Sequence, residues 1–451
     1  MKKYIFLSIA LLSGVAFTSC NNEEEDIFDQ SAAERLEASK AEYTEVFTAN
    51  GGKWLMEYFA NTDEQGYAYV VTFNADGSVN FAGNNKWLNG YKSENSLWEI
   101  ILDNGPVLTF NSYNSVFHIM SDPANIVGGP TSDIDGSDID ETGTGHAGDY
   151  EFMIMGATEE SGDDIRLKGK KRGYNIWMRP LAADTDDKAF LAEYAAASSK
   201  MFNTKISPLY MTDDTGERFI VTTDGEGIFN FYPEAGDPVT QTVSYNAMMT
   251  PEGVRFMYPV AIPRANGDYL VVENFVLDES KQLVCEYDSH VATITAGVPA
   301  NQFVRTGLSW SAQYKEELVG GEVAAIMQAV ADEALNTRQK MKLTAFEFSY
   351  NTKEKMYMLT VTASRLSNAY YLGTTTANED GTVSFSFPTG EDMNASKNGE
   401  NFYNSVASMK TFMDYLSNTT FVLSSPSATN PSEIKFVSAA NSSDYFTVSL
   451  K

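Results

Sequence analysis

The sequence predicts a β-rich α+β protein made of antiparallel β-meander units, each preceded by an amphipathic helix. Short runs of alternating apolar and polar residues recur along the chain, and turn residues such as Gly, Asn and Asp separate them, as expected for half-buried strands. Capped helical segments precede groups of these runs and do not alternate with single strands, so a parallel α/β fold is not indicated. The 451 residues are 43% hydrophobic, which is enough for two or three compact units.

Residues 1–19 are expected to form a lipoprotein signal peptide. Lys2 and Lys3 precede an apolar run that is too short for a comfortable bilayer span, and the run ends in FTSC. This ending resembles a bacterial lipobox, which implies that Cys20 is lipidated and becomes the first residue of the mature protein. A secretory peptide with an incidental cysteine is the alternative. A pair of acyl chains on Cys20 would give a stable membrane anchor.

Residues 20–30 are expected to form an acidic tether. The sequence NNEEEDIFD contains five acids and no base, so one interpretation is a solvated linker. A cysteine followed by such a cluster is also similar to the surface-export signal of Bacteroidota lipoproteins. That resemblance implies an outer-membrane location facing the cell exterior, with the periplasmic leaflet as the alternative. Nucleic acid is not an expected partner, because a net charge of −29 would repel phosphate.

Three units are expected after the tether, at residues 31–182, 183–309 and 310–451. The first begins with a helix whose start is marked by a capping box at Ser31 and Glu34. The second and third repeat the order of helix and meander, and a further helix precedes the closing strands. Because residue identities do not repeat at a fixed period, the sequence predicts similar structures without showing a duplication.

Four segments of the first unit resemble a known family: DIFDQSAAERL, GPVLTFNSYNSVFHIMSDP, GDYEFMIM and IRLKGKK. Together they look like uncharacterised Bacteroidota lipoproteins that share a domain of unknown function, with the most specific similarity at residues 26–180. The resemblance implies an accessory role beside outer-membrane nutrient importers and their glycan- or peptide-capturing lipoproteins, and it supplies no catalytic residues. The order of Trp54, Phe73, Asp76 and Gly77 is also similar to small lipocalin-like barrels.

An acidic, glycine-rich loop between strands is the candidate metal site. It offers the hard oxygen ligands that calcium prefers, at Asp133, Asp135, Asp138, Asp140 and Glu141. The spacing does not fit an EF-hand, so a plain surface loop is the alternative, and no other cofactor is expected. Residues 143–148 match a dinucleotide-binding pattern, but a strand and not a helix follows them, so they are assigned no such role.

A basic segment follows residues 93–165, which contain no lysine or arginine. Arg166, Lys168 and Lys170 alternate on a predicted strand, so we expect them to share one face. One interpretation is that they pair with acidic residues of neighbouring strands and fix their register. The other is a binding site for an anionic ligand or an acidic partner.

Aromatic residues in a Gly- and Asn-rich segment are candidates for glycan binding. Trp87 and Tyr91 lie in the polar sequence of residues 83–98, where exposed rings would offer flat apolar faces to sugars. Trp98 precedes an apolar run and is expected in the core. His118 lies in the run SVFHIM, which predicts a half-buried strand position. The sequence contains three histidines and no close pair, so zinc is not expected.

The expected function is non-catalytic: a lipid-anchored accessory or ligand-binding lipoprotein for glycan or peptide uptake at the outer membrane. The sequence contains no nucleophile elbow, metalloprotease helix, P-loop or Cys–His pair. Paired carboxylates of a glycosidase carry no sequence signature, and the chain has 61 acidic residues. A secreted-side hydrolase that uses such carboxylates is therefore the alternative.

Overall fold

The computed structural model describes residues 31–122, 145–157 and 163–451. Within this part of the chain three units follow one another, each with a leading helix and an antiparallel meander of eight strands. The predicted β-rich α+β class is confirmed. Strand and leading-helix side chains of each unit form a separate apolar core, which explains why a capped helix and alternating strands occur together in the sequence. In these described residues no helix combines the length and apolar character needed to cross a bilayer.

In the first unit, helix α1 (Ala32–Thr48) begins at the predicted capping box. The Ser31 hydroxyl accepts from the backbone N–H of Glu34, and the Glu34 carboxylate accepts from the backbone N–H of Ser31. The strands are β1 (Lys53–Tyr58), β2 (Tyr67–Phe73), β3 (Ser78–Asn85), β4 (Gly90–Leu97), β5 (Glu99–Leu102), β6 (Pro106–Thr109), β7 (Glu151–Ala157), β8 (Ile165–Gly169) and β9 (Asn175–Pro180).

In the described residues of the first unit, nine strands form a closed circuit with eight positions, because β4 and β5 share one position. β4 and β5 are two parts of one strand that is interrupted at Trp98: β4 pairs with β3, and β5 pairs with β6. The first strand, β1, pairs with both β2 and β9. Trp98 is 6% exposed and packs in the core, as expected from the sequence.

The predicted strand around His118 is wrong. Residues His118–Met120 form a turn of 3₁₀ helix. The cause is local: the side-chain oxygen of Asn114 accepts from the backbone N–H groups of Val116 and Phe117. An asparagine that captures nearby N–H groups in this way competes with strand pairing.

In the second unit, helix α2 (Asp187–Met201) precedes a closed sheet. Its strands are β10 (Leu209–Asp213), β11 (Arg218–Thr223), β12 (Ile228–Pro233), β13 (Val243–Thr250), β14 (Gly253–Phe256), β17 (Phe275–Leu277), β18 (Leu283–Tyr287) and β19 (His290–Thr295). The short helix α3 (Pro238–Gln241) and the hairpin of β15 (Val260–Pro263) and β16 (Tyr269–Val272) are inserted. Cys285 lies buried on β18, and burial raises the pKa of its thiol, which disfavours the nucleophilic thiolate form.

In the third unit, helix α4 (Pro299–Val304) leads the meander. The strands are β20 (Ser309–Gln313), β21 (Val319–Gly320), β22 (Leu343–Asn351), β23 (Met356–Ala363), β24 (Ala369–Ala377), β25 (Thr382–Ser386), β26 (Thr420–Ser424), β27 (Glu433–Ser438) and β28 (Tyr445–Leu450). β20 pairs with β28 and closes the circuit. Helices α5 (Gly321–Asn336), α6 (Lys397–Ser405) and α7 (Ser408–Asn418) are inserted. The core includes Ala300 and Phe303 of α4, which precede the expected boundary at residue 310.

The first and third units share a specific contact between the leading helix and the first strand. The indole N–H of Trp54 donates to the carbonyl oxygen of Phe47 at 3.0 Å, and that of Trp310 donates to the carbonyl oxygen of Phe303 at 3.1 Å. In both segments a glycine lies four residues after the phenylalanine, with φ of +89° at Gly51 and +92° at Gly307, a conformation that favours glycine. The second unit has Phe202 and Leu209 at the same spacing, both buried.

The longest connection also occupies the same place in every unit, between the fifth and sixth strands of the meander. It comprises residues 110–150 in the first unit, 257–274 in the second and 387–419 in the third. The three units thus share their strand order and the position of the longest connection, and the first and third also share the Phe–Trp contact. These similarities indicate three copies of one architecture.

Candidate functional site: a groove between the first and second units

Helix α2 connects the first and second units and forms one side of a groove. Leu191, in its first half, is 1% exposed and packs with Val70 and Ala82 on the outer face of the first sheet. Ala197 and Met201, in its second half, belong to the core of the second unit. One helix therefore fixes both units beside each other.

A buried group of charges joins the same two units. The Glu57 carboxylate of β1, whose side chain is 2% exposed, lies 3.2 Å from Nε of Arg179 and 3.0 Å from Nε of Arg255 in the second unit. Arg179 also contacts Asp164 at 2.7 Å. Burial raises the pKa of Glu57, although Arg255 and Arg179 lower it. We call this contact region the first junction. Its adjoining cavity of about 40 Å³ has room only for water.

The groove itself has a volume of about 570 Å³, within the range of ligand pockets. We call it cavity A. Its wall in the first unit comes from the start of β2, the end of β3 and the connection between β3 and β4. Helix α2, the turn between β11 and β12, and strand β13 supply the rest. The polar lining residues are Gln65, Tyr67, Asn84, Asn85, Lys86, Asn89, Tyr194, Ser198 and Glu226.

Three amide side chains in cavity A have unused hydrogen-bonding groups. Within the described residues, the side chains of Gln65, Asn84 and Asn89 make no hydrogen bond, whereas Asn85 caps a 3₁₀ turn by accepting from the backbone N–H groups of Trp87 and Leu88. Each free amide provides two donors and one acceptor group. The wall can therefore recognise a polar ligand without first breaking internal bonds.

A second cavity of about 500 Å³, which we call cavity B, is lined by the second half of the same helix and by the residues that follow it. It is lined by Phe202, Asn203, Thr204, Ser207, Thr223 and Asp224, among others. Ala195, Ser198 and Gly225 line both cavities. The Ser198 hydroxyl donates to the carbonyl oxygen of Gly225 where the two cavities meet.

A buried polar chain lies behind the wall of cavity A. The Trp87 indole N–H donates to the Tyr67 hydroxyl at 2.7 Å, and that hydroxyl donates to Glu64 at 2.9 Å. Nδ1 of His146 lies 2.9 Å from the same carboxylate, and its ring is fully buried. Burial is the main reason that the pKa of Tyr67 is raised, so the hydroxyl stays protonated. Within the part of the chain that the structure describes, Nε2 of His146 has no hydrogen-bond partner.

The aromatic residues predicted for glycan binding are half-buried. Trp87 uses its indole N–H on Tyr67, and its ring lies 4.5 Å from that of His146. Tyr91 packs near Leu191 at the base of α2. The structure thus brings the predicted segment to the groove, but Asn84, Lys86 and Asn89 line it and the two aromatic residues are not among its lining residues.

The predicted basic residues lie elsewhere on the first unit. Arg166 and Lys168 occupy the two exposed positions of β8. Lys170, just after the strand, contacts Asp103 at 3.2 Å and Glu151 at 3.5 Å, as expected if the segment pairs with acidic neighbours. A role in binding an anionic ligand stays a prediction.

The predicted calcium ligands, Asp133, Asp135, Asp138, Asp140 and Glu141, lie outside the described residues, as does Cys20. Within residues 31–122, 145–157 and 163–451, no group of three or more His, Cys, Asp or Glu side chains is placed to hold a metal ion.

Sequence reasoning missed the half of the groove that belongs to α2 and the second unit. Tyr194, Ser198 and Glu226 are more than 100 residues from Asn84, and no local pattern relates them.

The fold and the groove define a protein of repeated helix-led β-meanders with a polar cleft between two of them. Residues 24–274 match the family described as "Domain of unknown function (DUF4302)". Because this range is more than half of the chain, the protein belongs to that family. The matched range contains all the residues named above for both cavities.

The similarities to solved structures include two at very low TM-scores. The isotype 1 transferrin binding protein B from serogroup B Neisseria meningitidis is 10% identical, with a TM-score of 0.15; the aligned region covers 86% of this chain and 65% of that one. The Helicobacter pylori beta clamp bound to a DNA ligase peptide is 11% identical, with a TM-score of 0.12 and coverages of 93% and 97%. No curated protein matches this chain.

Proposed function

We propose that this protein is a lipid-anchored, surface-exposed lipoprotein of Bacteroidota that binds glycan or peptide for nutrient uptake at the outer membrane, beside an importer complex and without catalysis. The observation that carries the ligand-binding part is cavity A, where Gln65, Asn84 and Asn89 present free amides. The anchor part rests on Cys20 and the acidic tether of residues 20–30.

Binding is favoured over catalysis by the surroundings of the one His–carboxylate pair near the groove. Glu64 could orient His146 as a base, but among the described residues Nε2 of His146 meets no hydrogen-bond partner, and its ring is fully buried. A base needs a nucleophile or a water within hydrogen-bond reach. The pair therefore supports a structural role behind the wall.

The ligand-binding part is tested with the full-length protein in detergent micelles and a mixed array of glycans and peptides. Gln65→Ala/Asn84→Ala removes two free amides from the groove. The control is Asn104→Ala, which removes an exposed amide from a turn of the same unit. We expect the wild type and the control to retain a ligand that the double variant loses. Equal retention by all three proteins, or none by any, would contradict the proposal.

The anchor and partner parts are tested by a pull-down of the tagged protein from native outer membranes in mild detergent. We expect an importer and its capture lipoprotein to accompany the wild type, and neither to accompany Cys20→Ala, which cannot be acylated. Recovery of the wild type alone would argue against the accessory role.

A hydrolase is the second candidate, and it would need the Glu64–His146 pair to reach a ligand in the groove and act as its base. If it is correct, the purified protein cleaves a member of the same array, and His146→Asn abolishes cleavage while leaving ligand retention unchanged.

A further inference from the structure

We propose that cavities A and B form one continuous site for an uncharged oligosaccharide chain, with Ala195 and the Ser198–Gly225 contact at its middle. This inference rests on the proposed ligand-binding function and specifies the chemical class of the ligand.

Continuity follows from the shared lining. Ala195, Ser198 and Gly225 each face both cavities, so the two spaces meet along one turn of α2. The Ser198 hydroxyl already donates to the Gly225 carbonyl there, which fixes the distance between α2 and the turn from β11 to β12. A ligand that fills both cavities must be elongated and must pass over this contact.

The charges on the lining neutralise one another or are already engaged. In cavity A, Lys86 contacts Glu226 across the groove at 3.3 Å. In cavity B, the Asp224 carboxylate accepts from the backbone N–H groups of Glu226, Gly227 and Ile228 at 2.8–3.1 Å. Lys86 is the only lysine or arginine among the described residues that line the two cavities, so no unpaired cation is available to an anionic ligand. The protein's net charge of −29 would in addition repel an anionic one.

The uncharged lining suits sugar hydroxyls. A hydroxyl donates and accepts at once, and so do the free amides of Gln65, Asn84 and Asn89 with the hydroxyls of cavity B. Tyr194, which is half-buried, adds aromatic surface in cavity A for the apolar faces of sugar rings. The site thus offers hydrogen-bonding groups in both halves and a ring face in one.

A peptide fits this site less well. Extended peptides commonly bind by adding a strand to a free sheet edge. The strands that line cavity A are paired on both sides: β2 with β1 and β3, β3 with β2 and β4, and β13 with β12 and β14. Their backbone groups are therefore already engaged.

The test uses the full-length protein with an array of neutral, sialylated and sulfated oligosaccharides and of peptides. Calorimetry follows, with the retained glycan in lengths of two to six sugars. Ala195→Trp places a bulky ring on the shared wall. Ala192→Trp places the same ring on the same helix, at an exposed position outside both cavities. Circular dichroism checks that both variants fold.

We expect neutral glycans to be retained and affinity to rise about tenfold or more between the shortest and longest chains, since each added hydrogen bond contributes. Ala195→Trp should lower the affinity for long chains about tenfold or more, and Ala192→Trp should not. Retention only of anionic glycans or of peptides would overturn this inference and leave ligand binding intact. Affinity independent of length, or equal effects of the two tryptophans, would overturn the continuity. Retention of nothing would overturn the proposed function as well.

Discussion

The first and third units have the same architecture but place their polar groups differently. Both have a leading helix, a circuit of eight strands and the Phe–Trp hydrogen bond. The first unit has a buried chain of Glu64, Tyr67 and His146 behind an open groove. The interior of the third unit is apolar, and inserted helices pack on it, with the rings of Phe346 and Phe412 4.2 Å apart.

The first and third units also make different kinds of contact with the second unit. The first junction contains buried charged side chains and the bridging helix α2. The second junction, between the second and third units, is rich in hydrogen bonds to backbone carbonyls: Ala296 N–H to Ala428, Ala428 N–H to Ser280 and Arg305 to Lys205. The difference supports the proposal that the first and second units bind a ligand between them, while the third unit gives structural support.

The largest effect is expected from removing the carboxylate at the centre of the first junction. Glu57→Ala leaves Arg179 and Arg255 beside each other without the anion between them, and should lower the free energy of unfolding by about 3–5 kcal/mol. Urea unfolding of the full chain measures this loss in free energy. Hydrogen exchange of β1 and β14 shows whether the loss is centred on the first junction. The control is Glu226→Ala, which removes an exposed carboxylate of the same junction and should cost about 0–1 kcal/mol. If both variants lost only about 0–1 kcal/mol of unfolding free energy, the first junction would not depend on buried charge.

The next effect concerns the two leading helices. Leu191→Ala removes the α2 side chain that is buried against the first unit, and should cost about 3 kcal/mol through lost burial and a residual cavity. Arg305→Ala, just after α4, removes a single hydrogen bond to Lys205 and should cost about 1 kcal/mol. Thermal unfolding of both variants compares them. An equal cost would mean that α2 bridges units no more than α4 does.

Two matched substitutions test the shared architecture itself. Trp54→Phe and Trp310→Phe keep a buried ring and delete the indole donor, which leaves the carbonyl of Phe47 or Phe303 without that partner. Each should cost about 1–3 kcal/mol, and the two values should agree within about 1 kcal/mol. A large loss in one unit and none in the other would argue that the resemblance between them is superficial.

The smallest effect is a pH dependence confined to the first unit. Burial lowers the pKa of His118; Nδ1 accepts from the Asn114 N–H, and Nε2 lies 3.1 Å from the Phe110 carbonyl. The neutral ring contributes stability that is complete above about pH 6.5 and is lost as pH falls through the lowered pKa. The stability advantage of wild type over His118→Gln should therefore shrink between pH 7 and pH 5. An advantage that grew on acidification would contradict this assignment. The third unit contains no histidine and serves as the internal reference.

Local signals in the sequence predicted the elements but not the groove. The capping box at Ser31 and the alternation of the strands depend on residues that are close in the sequence, so both could be predicted from it. The turn at His118 could not be predicted, because the Asn114 side chain accepts a hydrogen bond from the backbone of Val116 and so favours a turn despite the alternating sequence. The groove joins Asn84 to Tyr194 and Glu226, and only tertiary packing brings them together. The common spacing of Phe47, Gly51 and Trp54 with Phe303, Gly307 and Trp310 was a readable sign of the repeat.

Hydrogen exchange of the full-length protein, with and without a glycan that the array retains, is the most direct test of whether the groove binds the ligand. If the groove is the binding site, the glycan slows exchange in the peptides that contain residues 65–68, 84–90 and 194–207, and leaves the third unit unchanged. Protection confined to the third unit, or a bound ligand that protects none of these segments, would contradict the account.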